Sequence, residues 1–295
     1  MAKTFSITRG IDGIDIGLLG IEAYGACYLV RGPAGVALVE VGTSLCVPQI
    51  LAGLEALGVA RAAVTHLLCT HVHLDHAGAA GHLLEQLPRA RVAIHSRDHR
   101  HLAEPARLVA SVQEAVGPLF ALYGEVRPIP AERFLPAEEL RLDLGGGVRL
   151  EAVPTPGHSK DHLAYFAPHA GLLFTGDAAG VSLFQHTLLR PVTVLPAFEP
   201  QDMLRSLDVM RALAPAGLCF THFGRHDNPP AVFDGLEEML RRWDEIARTE
   251  GVETAGQAVY DANLPPPGVG QEEFWRSIAE INRRGFLQAY AAVTG

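Results

Sequence analysis

The sequence predicts an α/β layered domain, on three observations. Short apolar runs of strand length are followed by segments of helical spacing, and this succession occurs twice along the chain. Several of the apolar runs stop abruptly at histidine or aspartate, as strands do at the ligand-binding edge of an open α/β sheet. Of 295 residues, 48% are apolar and 19% charged, enough to bury a sizeable core and too apolar for disorder. The pattern leaves open whether the sheet is parallel, mixed or divided in two.

The first part reads as four short strands, Phe5–Thr8, Gly13–Leu19, Ala26–Arg31 and Val36–Glu40, with Gly32-Pro33-Ala34-Gly35 turning the chain between the last two. Val47–Leu57 has apolar residues at helical spacing, and Gly58 stops it. His66–Cys69 is a short apolar strand, Ala77–Leu87 a helix ended by Pro88, and Val92–His95 another strand. Residues 97–135 differ: they are helical over Ala106–Phe120, carry Tyr123, Arg127 and several prolines, and read as an insertion or lid. Strands resume at Leu140–Leu144, Val148–Val153, His162–Phe166 and Leu172–Thr175. Pro200–Leu213 is a helix with Asp202 in its first turn, where the macrodipole favours an acid. Leu218–Thr221 is the last strand. Beyond Pro229 only helix and loop are expected, the best helices being Leu236–Arg248 and Glu272–Ala292 on either side of Pro265-Pro266-Pro267. The chain thus divides into a catalytic domain, 1–228, and a helical extension, 229–295.

Charge and composition exclude several function classes. The net charge of −9 offers no basic surface to neutralise phosphates, so no nucleic-acid partner is expected. No stretch of 18 apolar residues exists to span a bilayer, and the N-terminus has no apolar core of signal-peptide length. Cys27, Cys46, Cys69 and Cys219 form no CxxC pair and read as reduced thiols of a cytoplasmic protein. Cys69 and Cys219 lie inside apolar runs, as core residues do. The partner expected is a small-molecule substrate, with a homodimer allowed.

Chemistry concentrates in Thr70-His71-Val72-His73-Leu74-Asp75-His76, where three imidazoles and one carboxylate fall within six residues. Imidazole and carboxylate are the side chains that hold zinc, iron or manganese at neutral pH. The apolar run before the cluster ends there, and the pattern recurs three times: VRLEAVPTPG leads to His158, GLLFTG to Asp177 and AGLCFT to His222. Packing alone does not explain these residues, because each polar group buried without a partner costs about 1–3 kcal/mol. Seven nitrogen and oxygen ligands exceed what one tetrahedral ion takes. They suit two divalent ions, zinc first, with iron or manganese also fitting, about 3.5–4 Å apart and sharing a carboxylate such as Asp177. Two such ions with two carboxylates and a hydroxide carry a net charge of about +1, which suits a developing oxyanion.

These residues resemble the metallo-β-lactamase fold superfamily. His71-x-His73-x-Asp75-His76 matches its HxHxDH signature, continued by Ala77-Gly78. Thr155-Pro156-Gly157-His158-Ser159 and Phe174-Thr175-Gly176-Asp177 are similar to two further segments, and Thr221-His222 fits the last ligand. The resemblance runs from about Gly13 to Asp227 and implies a four-layer αββα sandwich with the metals at one edge of its two sheets. It further implies that His71, His73 and His158 hold the first metal, that Asp75, His76 and His222 hold the second, and that Asp177 bridges them. Asp177 resembles the hydrolase branches; the antibiotic-cleaving enzymes place another residue there. Glu40, in Leu38-Val39-Glu40-Val41-Gly42, stands where the superfamily often has aspartate. Asp177 is followed by Ala178-Ala179-Gly180, without the tyrosine of the fold's lactonases. The basic and aromatic segment of its glutathione-thioester hydrolases and the arginine-rich stretch of its persulfide dioxygenases are also absent. The chain looks most like a branch with a C-terminal helical tail, distantly similar to glyoxalase II and the lactonases.

The function expected is dinuclear metal-dependent hydrolysis of a small ester, thioester or lactone through a metal-bridging hydroxide, with Asp75 and Asp177 as the catalytic carboxylates. The alternatives are a phosphodiesterase on the same site and an iron-dependent oxidoreductase such as a thiol or persulfide dioxygenase. Tyr123, His186 and Arg190 are candidate substrate contacts: the tyrosine lies in the insertion, and the other two follow the bridging aspartate. His162 is expected to support a ligand rather than to be one. His226 and the Arg241-Arg242 pair are expected at the surface.

Overall fold

Strand periodicity decides the layering. In the computed structural model, which describes residues 3–195 and 198–294, alternate residues of each central strand enter different cores, as the two-residue repeat of a strand requires. The first sheet has β1 (Lys3–Thr8), β2 (Ile11–Asp15), β3 (Ala26–Gly32), β4 (Gly35–Val39), β5 (Val64–Leu68), β6 (Arg91–Ile94) and β7 (Phe134–Pro136) in sequence order. Ala26, Tyr28 and Val30 of β3 face one core, while Cys27 and Leu29 face another. The second sheet is built from β8 (Arg141–Asp143), β9 (Arg149–Pro154), β10 (Leu163–Ala167) and β11 (Leu172–Gly176), with β14 and β15 beyond them. Leu163, Tyr165 and Ala167 of β10 meet Tyr28 and Val30 in the shared core, whereas Ala164 turns outward. The two sheets therefore pack face to face.

Helices cover both outer faces. Against the first sheet lie α1 (Val47–Ala56), α2 (Leu74–Ala77), α3 (Ala80–Gln86), α4 (His99–Ala103) and α5 (Ala106–Val116). Against the second lie α6 (Pro200–Ala212), α7 (Pro229–Thr249), α8 (Val252–Ala262) and α9 (Glu272–Thr294). The order helix, sheet, sheet, helix is the αββα sandwich that the resemblance implies. A small hairpin, β12 (Val181–Leu183) and β13 (Leu188–Arg190), follows Asp177, and β14 (Gly217–Phe220) and β15 (Gly224–His226) complete the set.

Several elements differ from the sequence reading. The strand expected over Gly13–Leu19 ends at Asp15, whose carboxylate accepts from the Gly17 and Ala23 amides and folds the chain into a turn. The helix expected over Ala77–Leu87 is two helices, because the chain first turns through α2, which carries Asp75 and His76. The insertion's single helix is α4, α5 and a 3-10 stretch over Gly117–Leu122. The hairpin β12–β13 and strand β15 were unforeseen, and Phe184, Gln185 and His186 at the hairpin tip all have positive φ. Helix α8 was also unforeseen. All four cysteines are buried free thiols. Among the described residues, no helix is long and apolar enough to cross a membrane.

The C-terminal helix is fastened to the domain rather than appended. Asn282 on α9 accepts the Thr193 amide at 2.8 Å, and the Thr193 hydroxyl donates to the Asn282 carbonyl at 2.8 Å. The backbones approach so closely at Gly285 that a Cβ would meet the Thr193 carbonyl oxygen at 1.9 Å. At Gly235 on α7, by contrast, a Cβ would make an ordinary 3.5 Å contact with Leu189. Gly285→Ala is therefore expected to cost about 1–3 kcal/mol through overpacking. Gly235→Ala should be neutral or stabilising by up to about 1 kcal/mol. Denaturant unfolding of the two variants checks both signs.

Candidate metal centre

The strands that carry the ligands run in one direction. β4 and β5 are parallel, as are β11 and β14, and β9 reaches the same edge by pairing antiparallel with β10. Their carboxyl ends deliver Glu40, the His71–His76 loop, His158, Asp177 and His222 to one place, as strand ends do in open α/β sheets.

Two donor groups form there. His71 Nε2, His73 Nδ1 and His158 Nε2 lie 2.9, 3.1 and 3.0 Å from one another. Beside them, Asp75 Oδ2 stands 3.7 Å from both His76 Nε2 and His222 Nε2. Asp177 lies between the groups: its Oδ2 is 3.5 Å from His158 Nε2 and 3.6 Å from His76 Nε2, and its Oδ1 is 3.7 Å from His222 Nε2. Donors bound about 2.0–2.2 Å from one tetrahedral ion stand roughly 3.3–3.6 Å apart, close to these separations. The clusters His71-His73-His158, His71-His76-Asp177 and Asp75-His76-His222 each bring three donor atoms together. His76 Nε2 and Asp177 Oδ1 are buried and have no hydrogen-bond partner. Lone pairs converging around orphaned buried atoms fit metal cations, because a cation would satisfy donors that otherwise carry a desolvation penalty.

The opposite ring nitrogens fix which face each imidazole presents. His158 Nδ1 donates to the Val192 carbonyl at 3.2 Å, and His222 Nδ1 donates to the Tyr24 carbonyl at 2.9 Å. His71 Nδ1 pairs with the Thr70 hydroxyl at 2.9 Å. His76 Nδ1 meets Glu40 Oε2 in a short contact. Glu40 also accepts the Thr70 amide at 2.8 Å and the Thr221 hydroxyl at 3.3 Å. Glutamate in place of the more usual aspartate thus still supports an imidazole of the donor set. Its backbone is left-handed, φ 65°. His162 stands outside the donor groups: its Nδ1 pairs with Thr155 Oγ1 and its Nε2 accepts the Asp177 amide at 3.2 Å, which holds Asp177 from behind. Gly176, just before Asp177, has φ 52°, and a Cβ there would strike His162 Nε2 and Thr70 Oγ1.

Electrostatics prepare the same donors. Burial, reinforced by neighbouring imidazoles, holds His71 well below the usual histidine range, and burial also lowers His158. His73 falls to about 3, through burial first and then His158. These three rings stay neutral, the form that binds a metal. For Asp177, burial alone would raise the pKa, but His76, His158 and His222 together take it well below the carboxylate range. For His76, burial alone would lower it, but Glu40, Asp177 and Asp75 outweigh burial and raise it.

A cavity of about 100 Å³ opens in front of the donors. Tyr123 lines it, as expected of the insertion, with its ring stacked on Phe120. Arg190 lines it from the end of β13. His186 does not: it hydrogen-bonds Ser182 at 2.7 Å and packs on His226, in a separate cavity with Phe5, Phe223 and Trp275. The expectation of a substrate contact at the metals is corrected for His186, because the hairpin tip carries it away from them. Arg241 pairs with Glu237 on the outer face of α7. Two contributors were missed. Tyr24 faces the cavity beside His222, and Ile278, Ile281, Asn282 and Arg284 of α9 form a wall, although residues 229–295 read as lying outside the catalytic unit. No local signal marks either, since both reach the site by tertiary packing.

A family model described as "Metallo-beta-lactamase superfamily" matches residues 21–222. The metallo-beta-lactamase fold-containing protein ST1585 of Sulfurisphaera tokodaii is 26% identical over 97% of this chain and 99% of its own length. The solved structure of ST1585 superimposes with a TM-score of 0.75 over 95% of this chain and 99% of that one, at 24% identity. A metallo-beta-lactamase family protein from Thermus thermophilus gives 0.67 over 98% and 95%, at 22% identity. A hydroxyacylglutathione hydrolase of Synechococcus is 28% identical over 64% of this chain and 59% of its own. An atrochrysone carboxyl ACP thioesterase of Pseudocercospora fijiensis is 29% identical over 39% of this chain and 25% of its own.

Two outcomes are expected at this centre. Glu40→Ala should weaken binding of the metal held by His76 by about 10–100-fold, the usual effect of losing an outer-shell partner, as read by chelator competition. Because the raised pKa of His76 keeps it protonated in the metal-free protein, metal binding at Nε2 must displace that proton. Apparent metal affinity should therefore rise with pH through the neutral range, with proton release visible on metal titration in weak buffer.

Proposed function

The chain belongs to the metallo-beta-lactamase superfamily, and from that premise we propose that it is a dinuclear metal-dependent hydrolase of a small ester, thioester or lactone. The observation that carries the reading is the position of Asp177, within ligand spacing of donors from both groups. The names of the hydrolase and thioesterase relatives support cleavage of an acyl bond.

Two divalent cations, zinc first and iron or manganese also suited to this donor set, would supply an activated water near neutral pH and a Lewis acid for the developing oxyanion. His71, His73 and His158 would hold one; Asp75, His76 and His222 would hold the other; and Asp177 would be shared. Asp75 is the carboxylate of the set with solvent access, its side chain 22% exposed. It would take a proton from the activated water and return it to the leaving group. The Tyr24 phenol, raised above its usual range chiefly by burial, stays protonated and serves as a hydrogen-bond donor at the cavity wall. Tyr123 and the aliphatic side chains around it exclude bulk water, which strengthens each electrostatic interaction inside. The cavity in front of the donors suits a compact acyl group.

Asp177→Ala should leave fewer than two metals per chain and abolish hydrolysis across a panel of esters, thioesters and lactones on metal-reconstituted protein. A full metal complement with retained turnover would remove Asp177 from its bridging role. Wild-type protein that held one iron and consumed oxygen with thiol substrates would overturn the hydrolase reading.

A further inference from the structure

The cavity holds one group that metal binding does not use. Arg190 is 2% exposed, although arginine is seldom buried unless it is paired. Among the described residues it makes one hydrogen bond, from Nη1 to the Asn263 carbonyl at 3.0 Å. Its Nε is buried without a partner, and among the described residues no carboxylate comes within ion-pair distance of it. A guanidinium has five N–H donors, so most of this one's capacity is unspent. The carboxylates sharing the cavity, Asp75 and Asp177, are committed to the metal positions.

We propose that Arg190 recognises a carboxylate on the substrate, so that the compound hydrolysed is a small acyl ester, thioester or lactone bearing one anionic group apart from the scissile carbonyl. The inference rests on the hydrolase reading and narrows its substrate class. Four features support it. Arg190 and the metal donors line the same cavity, to which Tyr24 also contributes. Val181, Val192, Val194 and Ile278 are among the lining, and the second guanidinium of the cavity, Arg284, is solvent-exposed on α9, so Arg190 is the buried cation that an entering anion meets. A planar carboxylate matches the guanidinium fork better than other anions of its size. The side chain is also pre-positioned, because the Asn263 carbonyl sits at the carboxyl end of α8 and is itself buried. Burial lowers the Arg190 pKa to about 10, which leaves it charged at neutral pH. Access runs along a groove between α5 and α9, which shares Ala115, Val116, Ile281 and Arg284 with the inner cavity.

The test uses full-length, metal-reconstituted protein and two matched esters, mono-4-nitrophenyl glutarate and 4-nitrophenyl 5-methylhexanoate, which replaces the carboxylate by an isopropyl group. Wild type should prefer the glutarate in kcat/KM by about tenfold or more, chiefly through KM, the scale of a hydrogen bond to a charged group. The ratio of the two should fall by a similar factor in R190M and R190Q and be partly restored in R190K. Equal use of both esters by wild type overturns the proposal without need of any variant, as does a ratio unchanged in R190M. If neither ester turns over, the panel of esters, thioesters and lactones decides the hydrolase reading by itself, and calorimetry with glutarate decides Arg190 separately. Binding about tenfold weaker in R190M than in wild type sustains the carboxylate site, and equal binding removes it.

Discussion

The buried carboxylate of Glu40 is the interaction on which the rest of the site depends. A carboxylate removed from water is tolerated only when it is fully paired. Here its partners come from three places: the Thr70 amide after β5, His76 on α2 and the Thr221 hydroxyl after β14. One charge thus joins the edge of the first sheet to the edge of the second. The same bonds turn His76 so that its free nitrogen faces Asp75 and Asp177. The left-handed backbone at Glu40 is the strain of aiming the side chain inward directly after the end of β4.

Around this anchor most of the donors are held from behind. Val192 and Tyr24 supply carbonyls to His158 and His222, Thr70 a hydroxyl to His71, and His162 an acceptor for the Asp177 amide. These rings are therefore oriented before any cation arrives, which is how an outer shell raises the affinity of an inner one, whereas among the described residues His73 meets only the neighbouring donors His71 and His158. The aliphatic walls add a second effect. With water excluded, charges in the cavity act on one another at short range and with little screening, so one buried guanidinium is a strong determinant of what enters.

Much of the centre was legible because its residues cluster locally. His71, His73, Asp75 and His76 fall within six residues, and His158, Asp177 and His222 each follow a readable apolar run. The strand-and-helix succession was legible for the same reason, since it rests on periodicity within short windows. What was illegible depends on contacts between distant segments. The division into two sheets follows from which strands pair, and β11 pairs with β14 across some forty residues of intervening chain. Tyr24 and the α9 residues reach the cavity only because the N-terminal loop and the C-terminal helix pack there. His186 looked equivalent to Arg190 in sequence, but the hairpin between them places the two side chains in different cavities.

The fastening of α9 to Thr193 makes the donors answerable to a distant segment. Val192, whose carbonyl orients His158, precedes a residue held by Asn282 of α9. When α9 is undocked, the support of His158 is no longer fixed, although no donor has been removed. Local unfolding of one helix, well short of global unfolding, is thereby enough to offer a metal a poorer site.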